Sequence, residues 1–91
     1  MVIIDNIHFE LSEKPSKKLK AYHNGKWIYF GDPRYNHFYD LTELLPINMN
    51  HYDLNRRSLY RKRSRNIKNK YGEFTFNNPN YANYYSYHYL W

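Results

Sequence analysis

The segment that decides the fold runs from residue 18 to residue 30 and has the sequence KLKAYHNGKWIYF. Its centre, Asn24-Gly25, is well suited to a two-residue hairpin turn, because both residues tolerate positive φ. The flanking runs are therefore predicted to form two antiparallel strands. Trp27 and Tyr29 point to one face of this hairpin, since side chains alternate along a strand. Four apolar side chains share the other face: Leu19, Ala21, Ile28 and Phe30.

A third strand is predicted upstream of the hairpin. Ile7, Phe9 and Leu11 alternate with polar residues, which is the period of a half-buried strand. A polar turn at residues 13–16 separates this strand from the hairpin. Together these segments predict a three-stranded antiparallel sheet within residues 1–31.

Three helical segments are predicted after the sheet: residues 40–46, 53–67 and 79–91. The first is short and ends at Pro46, because proline interrupts a helix. Asp53 is a suitable N-cap for the second, which is basic. Asn78 and Pro79 are typical of the start of the third, which is aromatic. We therefore expect one small α+β domain, residues 1–91, with an N-terminal three-stranded antiparallel sheet followed by two or three short helices.

Composition limits the class of protein. The chain has 91 residues and no cysteine, so it forms at most one domain and has neither disulfides nor thiolate metal sites. No apolar run approaches the ~20 residues of a membrane helix, and we expect a soluble intracellular protein with no membrane contact. With only three glycines there is no glycine-rich phosphate loop. We expect no cofactor and no bound metal.

Positive charge is concentrated in one segment. The chain has 14 basic and 8 acidic residues, a net charge of +6. Between Asp53 and Glu73 eight residues are basic and none is acidic, so this segment carries +8 and the rest of the chain, with 14 − 8 = 6 basic and 8 acidic residues, carries −2. The eight are Arg56, Arg57, Arg61, Lys62, Arg63, Arg65, Lys68 and Lys70.

On a helix, four of these residues form one stripe: Arg57, Arg61, Arg65 and Lys68. Like charges at this spacing repel by a few tenths of a kcal/mol per pair, and a bound polyanion relieves that repulsion. We expect the stripe, with Lys62 and Lys70, to bind nucleic acid through sequence-independent phosphate contacts. An acidic protein surface would satisfy the same charges. Arg56 and Arg63 lie on the apolar side of the helix, where we expect a structural role.

Aromatic residues indicate two further surfaces. Trp27 and Tyr29 offer a platform on which unpaired bases stack, although such a face is more often covered by a helix, here by the C-terminal segment. The uncharged, tyrosine-rich end of the chain has two expected roles, as part of the core and as an anchor that fills a pocket in a neighbouring subunit, and different faces of one helix can serve both. Five residues are candidates for that docking: Tyr84, Tyr85, His88, Leu90 and Trp91.

His51 and Asp53 support the one catalytic hypothesis, with His37 and Asp40 upstream. Imidazole and carboxylate groups bind divalent cations and polarise phosphate in nucleases. However, no second carboxylate cluster or signature spacing accompanies them, and His51 fits equally well as a residue that leads into a capped helix. We therefore assign no catalytic residue and keep a small metal-dependent nuclease as the weaker alternative.

Short motifs over most of the chain resemble those of a viral protein family. They are Gly25-Lys26, Ile28, Phe30-Gly31, Tyr35, His51, Asp53, Arg57, Tyr60, Arg63, Asn78-Pro79, Ala82, Ser86 and Leu90-Trp91. In their order and spacing they resemble a family of short basic proteins of unknown function from nucleocytoplasmic large DNA viruses, the giant viruses. The chain departs from that pattern at Ser64, Tyr71-Gly72 and His88.

The resemblance implies a viral origin and a place in the virion, and in the infected host in the cytoplasm (viral factory) or the nucleus. Combined with the basic helix, it leads us to expect a non-enzymatic, virion-associated protein that binds nucleic acid. The alternative is a minor capsid or scaffold protein whose basic stripe and tyrosine-rich C-terminus bind other virion proteins, as an oligomer or assembly component.

Overall fold

A four-stranded antiparallel sheet occupies the first third of the chain in the computed structural model, which describes residues 1–91. The sequence predicted three strands, and the structure has a fourth at the start of the sheet. The turn that joins this first strand to the second, Asp5-Asn6, has both residues at positive φ, 53° and 62°, a conformation that Asn and Asp tolerate. The strands, hydrogen-bonded in chain order, are β1 (Val2–Ile4), β2 (Ile7–Leu11), β3 (Leu19–His23) and β4 (Lys26–Phe30).

The predicted hairpin between β3 and β4 is confirmed. Asn24 and Gly25 adopt φ values of 53° and 84°, and the register pairs His23 with Lys26 across the turn. The four apolar residues of one face are all buried, as predicted: Leu19, Ala21, Ile28 and Phe30.

The buried face of the sheet is covered by the last helix, α2 (Ala82–Tyr89). Phe9 of β2 packs against Tyr89, with ring centres 4.7 Å apart, and Tyr85 is fully buried beside them. The Tyr89 hydroxyl donates to the carboxylate of Asp5 at 2.8 Å. A core of aromatic rings is tolerated here because the buried hydroxyl has a partner.

The basic helix, α1 (Leu54–Ser64), begins after the predicted N-cap. The Asp53 carboxylate accepts hydrogen bonds from two backbone N–H groups of the first turn, at 2.9 and 3.1 Å. These N–H groups have no partner within a helix, so the side chain stabilises its start. The C-cap is Arg65, and the helix is therefore shorter than the expected 53–67.

The aromatic helix α2 is also shorter than the expected 79–91. The predicted cap, Asn78, instead accepts a hydrogen bond from the N–H of Asn80 at 3.0 Å and closes a turn ahead of the helix. Tyr81 is extended, with a φ of −122°, and is the N-cap. Pro79 therefore lies in that turn and not in the first turn of the helix.

No helix forms at residues 40–46, contrary to the prediction. The buried Asp40 carboxylate accepts from the N–H and hydroxyl of Thr42, at 2.8 and 2.6 Å, and from the N–H of Leu45 at 3.0 Å. Glu43 has a φ of 57°, which a right-handed helix does not allow. Side-chain hydrogen bonds thus replace helical ones, and a short 3₁₀ helix follows at Ile47–Met49.

Candidate nucleic-acid interface

Two of the arginines expected to bind nucleic acid are anchors of the fold. Arg57 Nε donates to the main-chain oxygen of Trp91 at 3.0 Å, and Arg61 donates to the same oxygen from Nε and Nη2 at 3.2 and 3.1 Å. Their guanidinium groups also lie over aromatic rings, Arg57 over Phe38 at 4.6 Å and Arg61 over Tyr87 at 4.7 Å. Both side chains are half-buried. They fix the end of α2 against α1, which corrects their expected place at the head of the binding stripe.

Arg56 and Arg63 need the opposite correction. We expected a structural role for both, either buried against tyrosines or paired with an acidic residue (Asp40, Glu43 or Glu73). Instead both are exposed, and neither forms a salt bridge with a carboxylate of the chain. The end of α2 packs on the side of α1 that carries Arg57, Arg61 and the buried Ser64. Arg56 and Arg63 flank that contact and are free to bind a ligand.

Six cations of the basic segment remain exposed: Arg56, Lys62, Arg63, Arg65, Lys68 and Lys70. None of them forms a salt bridge, because the three in the chain involve Lys20 and Arg34. The two acids that border the segment have other partners: Asp53 caps α1, and Glu73 accepts a hydrogen bond from the amide of Asn69 at 3.0 Å. The charge of these six residues is therefore uncompensated within the chain.

A cleft of about 700 Å³ opens beside α1, between one flank of that helix, the loop after β4 and the end of α2. Arg56 and Arg63 line it, and so does Lys18, of which only 7% is exposed. The Lys18 ammonium donates to Nδ1 of His37 at 2.9 Å and to the main-chain oxygen of Tyr35, and burial lowers its pKa to about 8. Sequence analysis missed Lys18, because a lysine ahead of a strand is ordinary and only the tertiary structure buries it.

The face that carries Trp27 and Tyr29 is not covered by the C-terminal segment, because α2 packs on the opposite face of the sheet. Two lysines lie over the rings instead, Lys20 at 4.5 Å from the centre of Trp27 and Lys14 at 4.0 Å from that of Tyr29. The Tyr29 hydroxyl donates to Glu13 and, by that hydrogen bond, lowers the pKa of Glu13 to about 2. A stacking base would have to displace these lysines, and the platform stays a prediction.

The five expected docking residues differ in exposure. Tyr85 and Leu90 are 0% and 1% exposed and belong to the core of this chain, so they are not available to a partner while the fold is intact. Tyr84 and Trp91 are half-buried. His88 alone is exposed. The C-terminal segment thus serves mainly this chain's own core, the first of its two expected roles.

His51 and Asp53 take part in the start of α1. Asp53 caps the helix, and its own N–H donates to Nδ1 of His51 at 2.9 Å. His37 and Asp40 are both buried, and each accepts a hydrogen bond within the fold, His37 from Lys18 and Asp40 from Thr42. The chain contains no group of three or more His, Asp or Glu side chains arranged to hold a metal ion.

Comparison with known proteins identifies no relative of this chain. No family profile, curated protein or solved structure matches the chain. The resemblance to the giant-virus proteins therefore stays a prediction. Neither helix has the length and apolar character needed to cross a lipid bilayer.

Proposed function

We propose that this protein binds nucleic acid without catalysis, through the exposed cations of the basic segment. The observation that carries this proposal is that six neighbouring cations face solvent without one carboxylate partner. Clustered like charges are unfavourable for an isolated chain, and the phosphates of a nucleic acid relieve that cost by releasing their counterions.

The contacts would be to phosphates and not to base edges. Lys62 is exposed on α1 and Arg65 is exposed at its C-cap, and Lys68 and Lys70 follow in the loop after it. Half of the six are arginines, which bind phosphate with two parallel hydrogen bonds. Contacts between these cations and phosphates predict binding that is insensitive to sequence and sensitive to salt.

An assembly role is the second candidate, because apolar side chains accompany the cations. Leu54 and Leu59 of α1 are 67% and 63% exposed, and Ile67 is 49% exposed. Such residues beside a basic surface fit a partner with an acidic rim and an apolar centre. A minor capsid or scaffold component of a virion, the location implied by the resemblance, would have this kind of contact.

A salt titration tests the leading proposal. Binding to a random-sequence duplex is measured by fluorescence anisotropy over a range of salt concentrations. If all six cations contact phosphates, the slope of log affinity against log salt reaches about −5. The double variant Lys62→Glu/Arg65→Glu is expected to reduce that slope by about 2 units.

A matched control is Lys17→Glu/Lys26→Glu, which reverses two exposed lysines outside the basic segment. Each double variant lowers the formal charge from +6 by 2 × 2 to +2, so the two differ in position and not in net charge. Equal losses of affinity in both variants would reduce the proposal to a general charge effect. Absence of binding at low salt would contradict it and favour the assembly role.

A further inference from the structure

The cleft beside α1 has the size of a small-molecule site. Its volume of about 700 Å³ lies within the range of ~300–1,000 Å³ that is typical of ligand pockets. Three basic side chains line it: Arg56 and Arg63 from α1, and Lys18 from the segment before β3. None of the three forms a salt bridge with a carboxylate.

Lys18 is the most informative of these residues, because it is a buried cation with an unused donor. An ammonium group has three N–H donors. Two of them are occupied, by His37 Nδ1 and by the main-chain oxygen of Tyr35, and neither acceptor carries a negative charge. Burial disfavours the ammonium form and lowers the pKa of Lys18 to about 8, although the charges of Asp32 and Asp40 act in the opposite direction. An anion in the cleft would reverse that penalty.

One carboxylate, that of Asp32, also lines the cleft, but it is already paired. Arg34 donates to it from Nη2 at 2.8 Å and from Nε at 3.1 Å, in a forked arrangement, and holds the pKa of Asp32 at about 2. The charge of Asp32 is thus balanced mainly by Arg34, which does not line the cleft, and to a smaller extent it acts on Lys18. The three lining cations still outnumber this one paired carboxylate.

We propose that this cleft binds a phosphomonoester, either as a free nucleotide or as the phosphorylated end of a nucleic-acid strand. Three cations around one cleft match a phosphate group, which carries close to two negative charges and three acceptor oxygens, better than a carboxylate with one. The exposed ring of Tyr35 and the exposed side chain of Leu59, 58% and 63% exposed, line the same cleft and offer apolar contact to a base or sugar. The strand-end form rests on the proposed function, whereas the free-nucleotide form does not.

Calorimetric titration with adenosine monophosphate tests the site, with adenosine as the ligand that lacks the phosphate. Arg63→Gln removes an exposed cation that lines the cleft, and Arg65→Gln is its matched control, since Arg65 is exposed on the same helix end but does not line the cleft. We expect Arg63→Gln to weaken binding by about tenfold or more, the loss typical of a charged hydrogen bond. Arg65→Gln should change the affinity less than twofold.

Lys18→Met keeps an unbranched side chain, shorter by one atom, and removes its charge. We expect it to weaken binding of the monophosphate by about tenfold or more. Thermal unfolding of each variant in the absence of ligand checks that the fold is retained, and Arg63→Gln remains informative if Lys18→Met is unstable. Undetectable binding to the unsubstituted protein at millimolar ligand, or equal affinity for adenosine and its monophosphate, would overturn the proposal.

The two sources of the phosphate are separated with one oligonucleotide prepared with a 5′-phosphate and with a 5′-hydroxyl. Tighter binding of the phosphorylated form, lost in Arg63→Gln but kept in Arg65→Gln, identifies the strand end as a ligand. Equal binding of the two forms, with retained binding of adenosine monophosphate, identifies the free nucleotide. Binding of the 5′-hydroxyl strand tests only the proposed nucleic-acid binding by the basic segment. That proposal can therefore be contradicted while adenosine monophosphate still binds in the cleft.

Discussion

Acidification is predicted to destabilise the fold through one buried histidine. His37 is 0% exposed, and its Nδ1 accepts a hydrogen bond from the Lys18 ammonium at 2.9 Å. Burial, and after it the positive charge of Lys18, lowers the pKa of His37 to about 4, from 6.5 in an unfolded chain. The folded protein therefore requires the neutral imidazole.

The sign and size of the effect follow from that pKa. Between pH 6.5 and about 4 the unfolded chain binds a proton that the folded chain refuses, so the free energy of unfolding falls as the pH is lowered. The full difference in pKa corresponds to about 3 kcal/mol for this one group. A domain of this length has a stability of about 5–14 kcal/mol, so the loss is a substantial fraction of the total. The stability contribution is complete above pH 6.5.

Urea denaturation followed by circular dichroism, at several pH values from 7 to 4, measures this loss. His37→Gln keeps an acceptor for Lys18 but does not titrate, so its free energy of unfolding should decline less over this range than that of the unsubstituted protein. His8→Gln is the matched control, because His8 is exposed on β2, and its curve should parallel that of the unsubstituted protein. If the curve of His37→Gln is also parallel, the linkage to His37 is refuted.

Three further predictions concern stability. Asp53→Ala should cost about 0.5–2 kcal/mol by removing the cap of α1, measured by urea denaturation, whereas Asp53→Asn should retain most of it. Gly31→Ala should destabilise more than Gly72→Ala in thermal unfolding: both glycines have positive φ, but a methyl group at Gly31 would lie 3.1 Å from Leu90, and at Gly72 it meets nothing. Trp91→Ala should cost about 2–3 kcal/mol, because the ring stacks on Tyr60 of α1 with ring centres 4.3 Å apart but is only half-buried. Equal denaturation midpoints would contradict the contribution of this ring to the contact between α1 and the end of α2.

The elements that local chemistry specifies could be predicted from the sequence. Asn24-Gly25 defines its hairpin because the turn requires residues that accept positive φ, and Asp53 defines a helix start because its side chain satisfies the adjacent N–H groups. The segment at residues 40–46 could not be predicted in the same way. There the Asp40 carboxylate accepts hydrogen bonds from the backbone of residues that the sequence pattern assigns to a helix. The burial of Asp40 depends on contacts with the distant end of the chain, such as the hydrogen bond from the Leu41 N–H to the main-chain oxygen of Tyr89 at 3.0 Å.

The roles of the arginines could not be predicted because the contact between α1 and the end of α2 is largely polar, apart from the Tyr60 ring, which stacks on Trp91 with ring centres 4.3 Å apart. A helical wheel assigns the buried side of a helix from its apolar residues, and on α1 that criterion selects the side of Leu59, which is 63% exposed. The side that is buried instead carries Ser64, which donates to the side chain of Asn83 at 2.6 Å, and the two arginines that bind the oxygen of Trp91.

Adjacent positions on a helix differ by about 100°, so a shift of the buried side by a fraction of a turn exchanges the roles of neighbouring residues. Arg57 becomes an anchor and Arg56 becomes available to a ligand. The number of cations in the segment is a property of the sequence, but which of them can meet a phosphate depends on where the end of α2 docks. For this reason the variants that test binding are placed at Lys62, Arg63 and Arg65, and a loss of affinity on replacing Arg57 or Arg61 would report on folding first.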